Sequence, residues 1–270
     1  MSFQISKAHA YGNDFLFVPR DQVHGRALDT LTRRLCQRYT GLGADGVIYY
    51  SVHAEDATAT MRLINADGSP SELSGNGLRC LGALLTHQRG REASPGREWR
   101  VSTDAGWKTL MLAGHHDTTY TFRAALGPPE HVTQEVLAVA DELLRAVILT
   151  MANPQCVVLM PELPAPERFA RLGPALSSHP RFPAGTNVEF AVVDAPDRVR
   201  ILIWERGVGP THASGTGASA SAVAAHVAGG AGRDVLVEAP GGTQRVEWLD
   251  EGIFLTGDAE VLFDGVWLPR

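Results

Sequence analysis

Short apolar runs separated by turn signals dominate the chain, and their spacing predicts many short strands and few helices. The strand-like runs fall at residues 3–5, 15–18, 47–50, 58–64, 99–101, 109–112, 119–124, 147–150, 157–160, 188–193, 199–204, 235–237, 245–248 and 253–256. Helices are predicted at 31–39, led in by Asp29 and Thr30, at 134–144, and as a short piece at 166–172 that Gly173-Pro174 would stop. Two more begin straight after a Gly-x-Gly, at 78–89 and at 218–227, the second ended by Gly229-Gly230. The pattern reads as an α+β protein with most of its ordered residues in strands.

Those last two helices carry a repeat. Leu73-Ser74-Gly75-Asn76-Gly77 returns as Ala213-Ser214-Gly215-Thr216-Gly217, an offset of 140 from Ser74 to Ser214. The same offset links Asn13 to Asn153 and Asn65 to Glu205. The chain therefore reads as two copies of one unit facing each other across a cleft. Their boundary is expected near the turn cluster Gly127-Pro128-Pro129, giving halves 1–127 and 128–270, with the last strand free to return to the first half. Glycines at the start of a helix let the backbone turn tightly and expose unpaired N–H groups. The helix dipole adds partial positive charge there, so each motif suits a small anion such as a carboxylate.

Composition narrows the function. A chain of 270 residues, 44% hydrophobic and 20% charged, is long enough for two ordinary cores. Its net charge of −6, with no clustered Lys/Arg, argues against nucleic acid as a partner. Neither a basic leader followed by an apolar run nor a stretch of membrane-spanning length is present, so a cytoplasmic location without membrane contact is expected. Cys36, Cys80 and Cys156 lie far apart and read as buried structural thiols rather than disulfides or a metal clamp.

Taken together the motifs make the chain similar to the diaminopimelate epimerase family of cofactor-independent amino-acid racemases and epimerases. The matching stretches cover nearly the whole chain: Lys7-Ala8-His9-Ala10-Tyr11-Gly12-Asn13-Asp14-Phe15, Asn65-Ala66-Asp67-Gly68-Ser69, Ser74-Gly75-Asn76-Gly77-Leu78-Arg79-Cys80, Ala152-Asn153-Pro154-Gln155-Cys156, Thr186-Asn187-Val188-Glu189-Phe190, Trp204-Glu205-Arg206-Gly207-Val208-Gly209 and the Ser214 motif. The resemblance implies two pseudo-symmetric domains, each a curled, mostly antiparallel sheet or barrel around a central helix, with an amino acid bound between them. It implies an isomerase of lysine biosynthesis, acting on a diaminopimelate-like small molecule without cofactor or metal, often as a homodimer. Asn65, Asn187 and Arg206 match the positions that grip the distal amino-acid end, Arg206 being suited to a bidentate carboxylate contact. Asn13 and Asn153 match further polar contacts. Gly75-Asn76 and Gly215-Thr216 match the backbone cradle at the reacting carbon.

The proton-transfer residues depart from the family pattern. Inversion without a cofactor removes a Cα proton on one face and returns one on the other, and the family uses two facing cysteines for this. Ser74 and Ser214 stand at those positions here. A thiol ionises near about 8.5 and lower at a helix start, whereas an alcohol is almost never ionised near neutrality. The family's assisting histidine is Gln155, which cannot take up a proton, its Glu before the second motif is Pro210, and its acidic partner survives as Glu205. Because Gln155 and Pro210 change along with the serines, the pattern reads as divergence. Three function classes follow: a weak or altered Cα isomerase, a lyase that dehydrates a hydroxy amino acid, and an amino-acid binder without turnover.

Other motifs carry blander readings. Gly215-Thr216-Gly217-Ala218-Ser219-Ala220 fits a dinucleotide fingerprint but lacks a preceding strand and a βαβ unit, so no nucleotide cofactor is expected. His212 reads as an exposed loop residue, and His115-His116-Asp117 as a hairpin tip rather than a metal fragment. Cys156, beside Gln155, reads as packing.

Overall fold

The computed structural model of the protein describes residues 2–53, 57–71, 74–90 and 94–268. Leu73 of the first motif lies outside the described residues. The chain divides into two compact units, Met1–Ala124 with Gly257–Arg270, and Ala125–Thr256. Each is a sheet wrapped on one buried helix, and the α+β class expected from the apolar pattern holds.

In the first unit, β1 (Phe3–Ala10) and β2 (Asn13–Pro19) form a hairpin with Ala10 opposite Asn13. Its two turn residues, Tyr11 and Gly12, take φ of 56° and 87°, the left-handed pair that matches strand twist in a two-residue turn. After α1 (Leu28–Leu35), β3 (Gly46–His53) lies parallel to β2, and β4 (Thr58–Asn65) antiparallel to β3. The short β5 (Pro70–Ser71) leads to α2 (Gly75–Gln88), and β6 (Glu98–Thr103) then pairs in parallel with β4. From there β7 (Gly106–His116) and β8 (Thr119–Gly127) continue antiparallel. The last strand, β17 (Gly252–Trp267), pairs with both β8 and β1 and closes an eight-stranded ring.

Alternation along the strands builds two layers. Phe15 and Phe17 point inward with Ile48, Trp99, Leu110 and Phe122 onto Leu78, Leu81, Leu84 and Leu85 of α2. Leu16 and Val18, one residue out of phase, pack with Val47 and Tyr49 beneath Leu31 and Leu35 of α1. Residues 76–86 of α2 are buried on every face, as a helix enclosed by a sheet must be.

The second unit repeats the order. Its strands are β9 (Glu130–Val139), β10 (Glu142–Met151), β11 (Asn153–Leu159), β12 (Asn187–Ala195), β13 (Arg198–Glu205), β14 (Gly209–Thr211), β15 (Asp234–Ala239) and β16 (Gly242–Leu249). Its helices are α3 (Pro166–Ser177) and α4 (Gly215–Gly229). β10 to β12 reproduce the antiparallel-then-parallel pairing of β1 to β3, and the parallel pair β13–β15 reproduces β4–β6. Here the enclosed helix is α4, whose small Ala218, Ala220, Ala222, Ala224 and Ala225 meet Val157, Ile201, Ile203 and Val246.

Two helix expectations are corrected. Residues 134–144 are not helical: they form the β9–β10 hairpin, with Val139 opposite Glu142 and both Ala140 and Asp141 at positive φ. Leu137, Val139, Leu144 and Ala146 are buried against Leu172 and Phe190, and that two-residue alternation outweighs the helix propensity of Glu, Leu and Ala. The helix begun at Pro166 passes through Gly173-Pro174 and ends at Ser177. Gly173 is not a stop there, because a Cβ on it would lie 2.5 Å from the Trp204 ring, so the glycine serves close packing of α3 on β13.

Candidate functional site

Both Gly-x-Gly motifs begin helices as predicted, and they do so in the same way. Ser74 has extended backbone (φ −128°, ψ 121°) and its Oγ accepts the Gly77 N–H at 3.0 Å. Ser214 (φ −142°, ψ 125°) accepts the Gly217 N–H at 3.0 Å. Each serine is thus an N-cap, a role in which a hydroxyl contributes about 1 kcal/mol to helix stability. Each is half-buried at the start of its unit's central helix.

In the first unit the polar residues around α2 form a chain. The Asn76 amide donates to Asn13 Oδ1 at 3.1 Å, and the Asn13 amide donates to Asp45 at 2.8 Å. Arg79, fully buried one turn into α2, donates from Nη2 to Asn76 Oδ1 at 2.5 Å and lies 5.8 Å from the centre of the Tyr11 ring. Burial pulls the Arg79 guanidinium below its ordinary value. Asn65, at the end of β4, donates to the Ser69 hydroxyl at 3.0 Å. Asn13 and Asn76 are therefore brought together, and Asn65 is tied to its own turn.

In the second unit Asn187 and Arg206 meet: Asn187 Oδ1 accepts the Arg206 backbone N–H at 2.9 Å. The Arg206 side chain is exposed and donates to the Ala184 carbonyl at 3.0 Å. Five groups converge at the start of α4. Ser214 Oγ lies 3.3 Å from Thr216 Oγ1. The Thr216 hydroxyl lies 3.2 Å from the Gln155 amide, which is fully buried and contacts Asn153 at 2.5 Å. The other end of that amide lies 3.0 and 3.2 Å from the two carboxyl oxygens of Glu189.

Glu189 is completely buried on β12, and a Cβ added to Gly217 would come within 2.6 Å of its Oε1. Burial, with the charge of Glu205, pushes its carboxyl well above the ordinary carboxylate range. Glu205 is half-buried at the end of β13. Glu189 and Arg79 stand inside the matching stretches without an expected role, and Asp45 lies outside them. A signal was present, because Glu189 is the one charged residue in the run Val188-Glu189-Phe190-Ala191-Val192-Val193. A charge in a doubly buried strand calls for a stated partner.

Of the blander readings, His212 is exposed and His116-Asp117 lies at the β7–β8 turn. The thiols of Cys36, Cys80 and Cys156 are buried, with the first two pushed up to about 12 by desolvation and Cys156 pushed higher still. None of the three is a thiolate near neutrality. Among the described residues no helix is long and apolar enough to cross a membrane.

Comparison with known proteins agrees with this geometry. A family model for diaminopimelate epimerase matches residues 5–132 and 147–262. The diaminopimelate epimerase of Desulfitobacterium hafniense is 37% identical, covering 98% of both chains. That of Desulforudis audaxviator is 39% identical over 98% of this chain and 99% of its own, and that of Acaryochloris marina 35% over 99% of both. Two solved structures share the fold. A hydroxyproline epimerase from Agrobacterium vitis gives a TM-score of 0.70 at 18% identity, covering 98% of this chain and 92% of its own. A phenazine biosynthesis protein from Bacillus anthracis gives 0.72 at 15% identity over the whole of both.

Proposed function

The chain belongs to the diaminopimelate epimerase family, and from that membership we propose that it binds a diaminopimelate-like amino acid and acts at its Cα with weakened proton transfer. The supporting observation is the state of the two serines. Each Oγ sits where the family resemblance implies a thiol, and each is an N-cap accepting a backbone N–H. An alcohol in that position stabilises its helix but is a poor base, whereas first-turn N–H groups still favour a carboxylate and the charge that develops on Cα deprotonation. The distal end of the ligand is assigned to Asn65, Asn187 and Arg206, and further polar contacts to Asn13, Asn76, Asn153 and Thr216. Glu205 and Gln155 are assigned to the proton path of Ser214. The same reading takes the protein to be cytoplasmic, homodimeric and independent of cofactor and metal.

The test is a mass-spectrometric screen in deuterated water with LL- and meso-diaminopimelate and a panel of other amino acids. The proposal expects slow deuterium uptake at Cα of a diamino dicarboxylate. Loss of water with formation of a keto acid would transfer the protein to the lyase class. Binding by calorimetry without exchange at any pH would leave a binder.

A further inference from the structure

The internal duplication supplies its own control for the start of α4. Gln155 pairs with Asn187 and Val157 with Glu189 across β11–β12, while Phe15 pairs with Gly46 and Phe17 with Ile48 across β2–β3. Glu189 and Ile48 also face matching partners, Ile203 and Leu63. Gln155 is therefore the counterpart of Phe15, and Glu189 the counterpart of Ile48. The contacts agree: a Cβ on Gly77 would meet the Ile48 side chain at 2.9 Å, and one on Gly217 would meet Glu189 at 2.6 Å. An apolar pair supports the helix start in one unit, and a buried amide–acid pair supports it in the other.

We propose that Glu189 is a positioning residue for Ser214, acting through Gln155 and Thr216 as a two-state hydrogen-bond switch. The distances admit two directions of donation along one chain of atoms. With Glu189 neutral, its O–H donates to the Gln155 carbonyl oxygen, the Gln155 N–H₂ donates to Asn153 Oδ1 and faces the Thr216 oxygen, and the Thr216 hydroxyl donates to Ser214. Ser214 then receives both Thr216 and the Gly217 N–H, and its own proton is left to point at a ligand. With Glu189 ionised, the amide turns over and donates to the carboxylate, its oxygen accepts from Thr216, and Ser214 donates to Thr216. The Asn153 amide turns with it to supply a donor. A proton gained or lost at a buried acid thus decides whether Ser214 presents a hydrogen or a lone pair outward. No bond to carbon forms or breaks in the switch.

Burial and the charge of Glu205 displace the Glu189 titration upward, while the Gln155 amide, when it donates to the carboxylate, opposes that shift. The elements packed around it are β13 with Glu205, β11 with the Gln155 amide and the buried Cys156 thiol, and α4 with the close backbone of Gly217 and, beyond the amide, the Thr216 hydroxyl. The inference rests on the family reading only for what Ser214 does to a ligand; the switch itself needs none.

The experiment follows the Gln155 side-chain N–H₂ resonances of the whole protein by NMR against pH, alongside the pH dependence of Cα deuterium exchange with meso-diaminopimelate. The resonances are expected to move between two plateaus, with a midpoint above the ordinary carboxylate range, and to stop moving in Glu189→Gln. Exchange is expected to step by about five- to ten-fold over the same interval, the scale of one hydrogen bond, and to become flat in Glu189→Gln. Should that variant fail to fold, Thr216→Val cuts the chain beyond the amide: the Gln155 titration should persist while the step in exchange disappears. Resonances that do not titrate above the ordinary range, or that still titrate without Glu189, overturn the switch. Thr216→Val with an unchanged step overturns the link to Ser214. A wild type with no exchange at any pH but an intact resonance titration defeats the family activity and leaves the switch standing.

Discussion

At the scale of single residues, a buried acid leaves a mark on stability as well as on chemistry. The folded-state value of Glu189 is raised, so between the unfolded value, about 4.3, and the raised folded value the native state holds a proton that the unfolded chain has lost. Stability must then fall as pH rises through that window, at up to about 1.4 kcal/mol per pH unit, and level off above the folded value. Glu189→Gln carries no proton to lose. Thermal or urea unfolding across pH should show the variant matching the wild type at the acid end and exceeding it at the alkaline end. Parallel curves for the two proteins at every pH would mean that Glu189 is not neutral when folded. The sequence assigns this residue no role for a physical reason: a strand's apolar run reveals that both faces are covered, but not which atoms lie opposite the one charge. Arg79 was hidden in the same way, since a helix position buried on every face looks polar and solvent-facing in the sequence.

Among the elements, the helix starts were legible and the second helix of each unit was correctly located, because Gly-x-Gly before an apolar stretch combines a tight turn with a cap. Ser74 and Ser214 behave as that chemistry requires. Less legible were elements whose identity depends on a distant partner. Residues 134–144 have helix-forming composition and become a hairpin because Leu137 and Val139 are covered by α3 and β12. The sequence pattern predicts Gly173 as a stop, and in the fold it is a contact. The Trp204 ring occupies the space a side chain would need, with ring atoms 2.5 and 2.6 Å from the position of a Cβ. Gly173→Ala should therefore destabilise the protein by about 1–3 kcal/mol through overpacking, despite the better helix propensity of alanine. Gly75→Ala, where a Cβ would meet nothing within 4 Å, is the matched control. Denaturant midpoints compare the two, and a gain in stability for Gly173→Ala would show that α3 does not sit close on β13.

For the molecule as a whole, the repeat in the sequence and the repeated element order describe one architecture used twice, and the family was recognisable from motif order alone. The chemistry was not, because the unit that carries the acid differs from its copy at Gln155 and Glu189, two positions whose contact no offset reveals. Introducing the proton-transfer groups that the family resemblance implies tests the proposed site. Ser74→Cys with Ser214→Cys places two thiols at helix starts, where the dipole lowers a thiol's ionisation toward neutrality. Gln155→His then adds a titratable ring facing Glu189, and the opposite charges should hold the carboxylate ionised and the imidazole protonated. A correctly placed acid or base contributes typically about 10²–10⁴ in rate. The double variant should thus raise Cα deuterium uptake from diaminopimelate by at least about 10²-fold, and the triple variant should raise it further while losing the alkaline stability deficit assigned to Glu189. If the triple variant exchanges no faster than the parent although calorimetry still detects bound diaminopimelate, the ligand is not held in a reactive pose. In that case what limits exchange is the binding geometry and not the absence of two thiols and an imidazole.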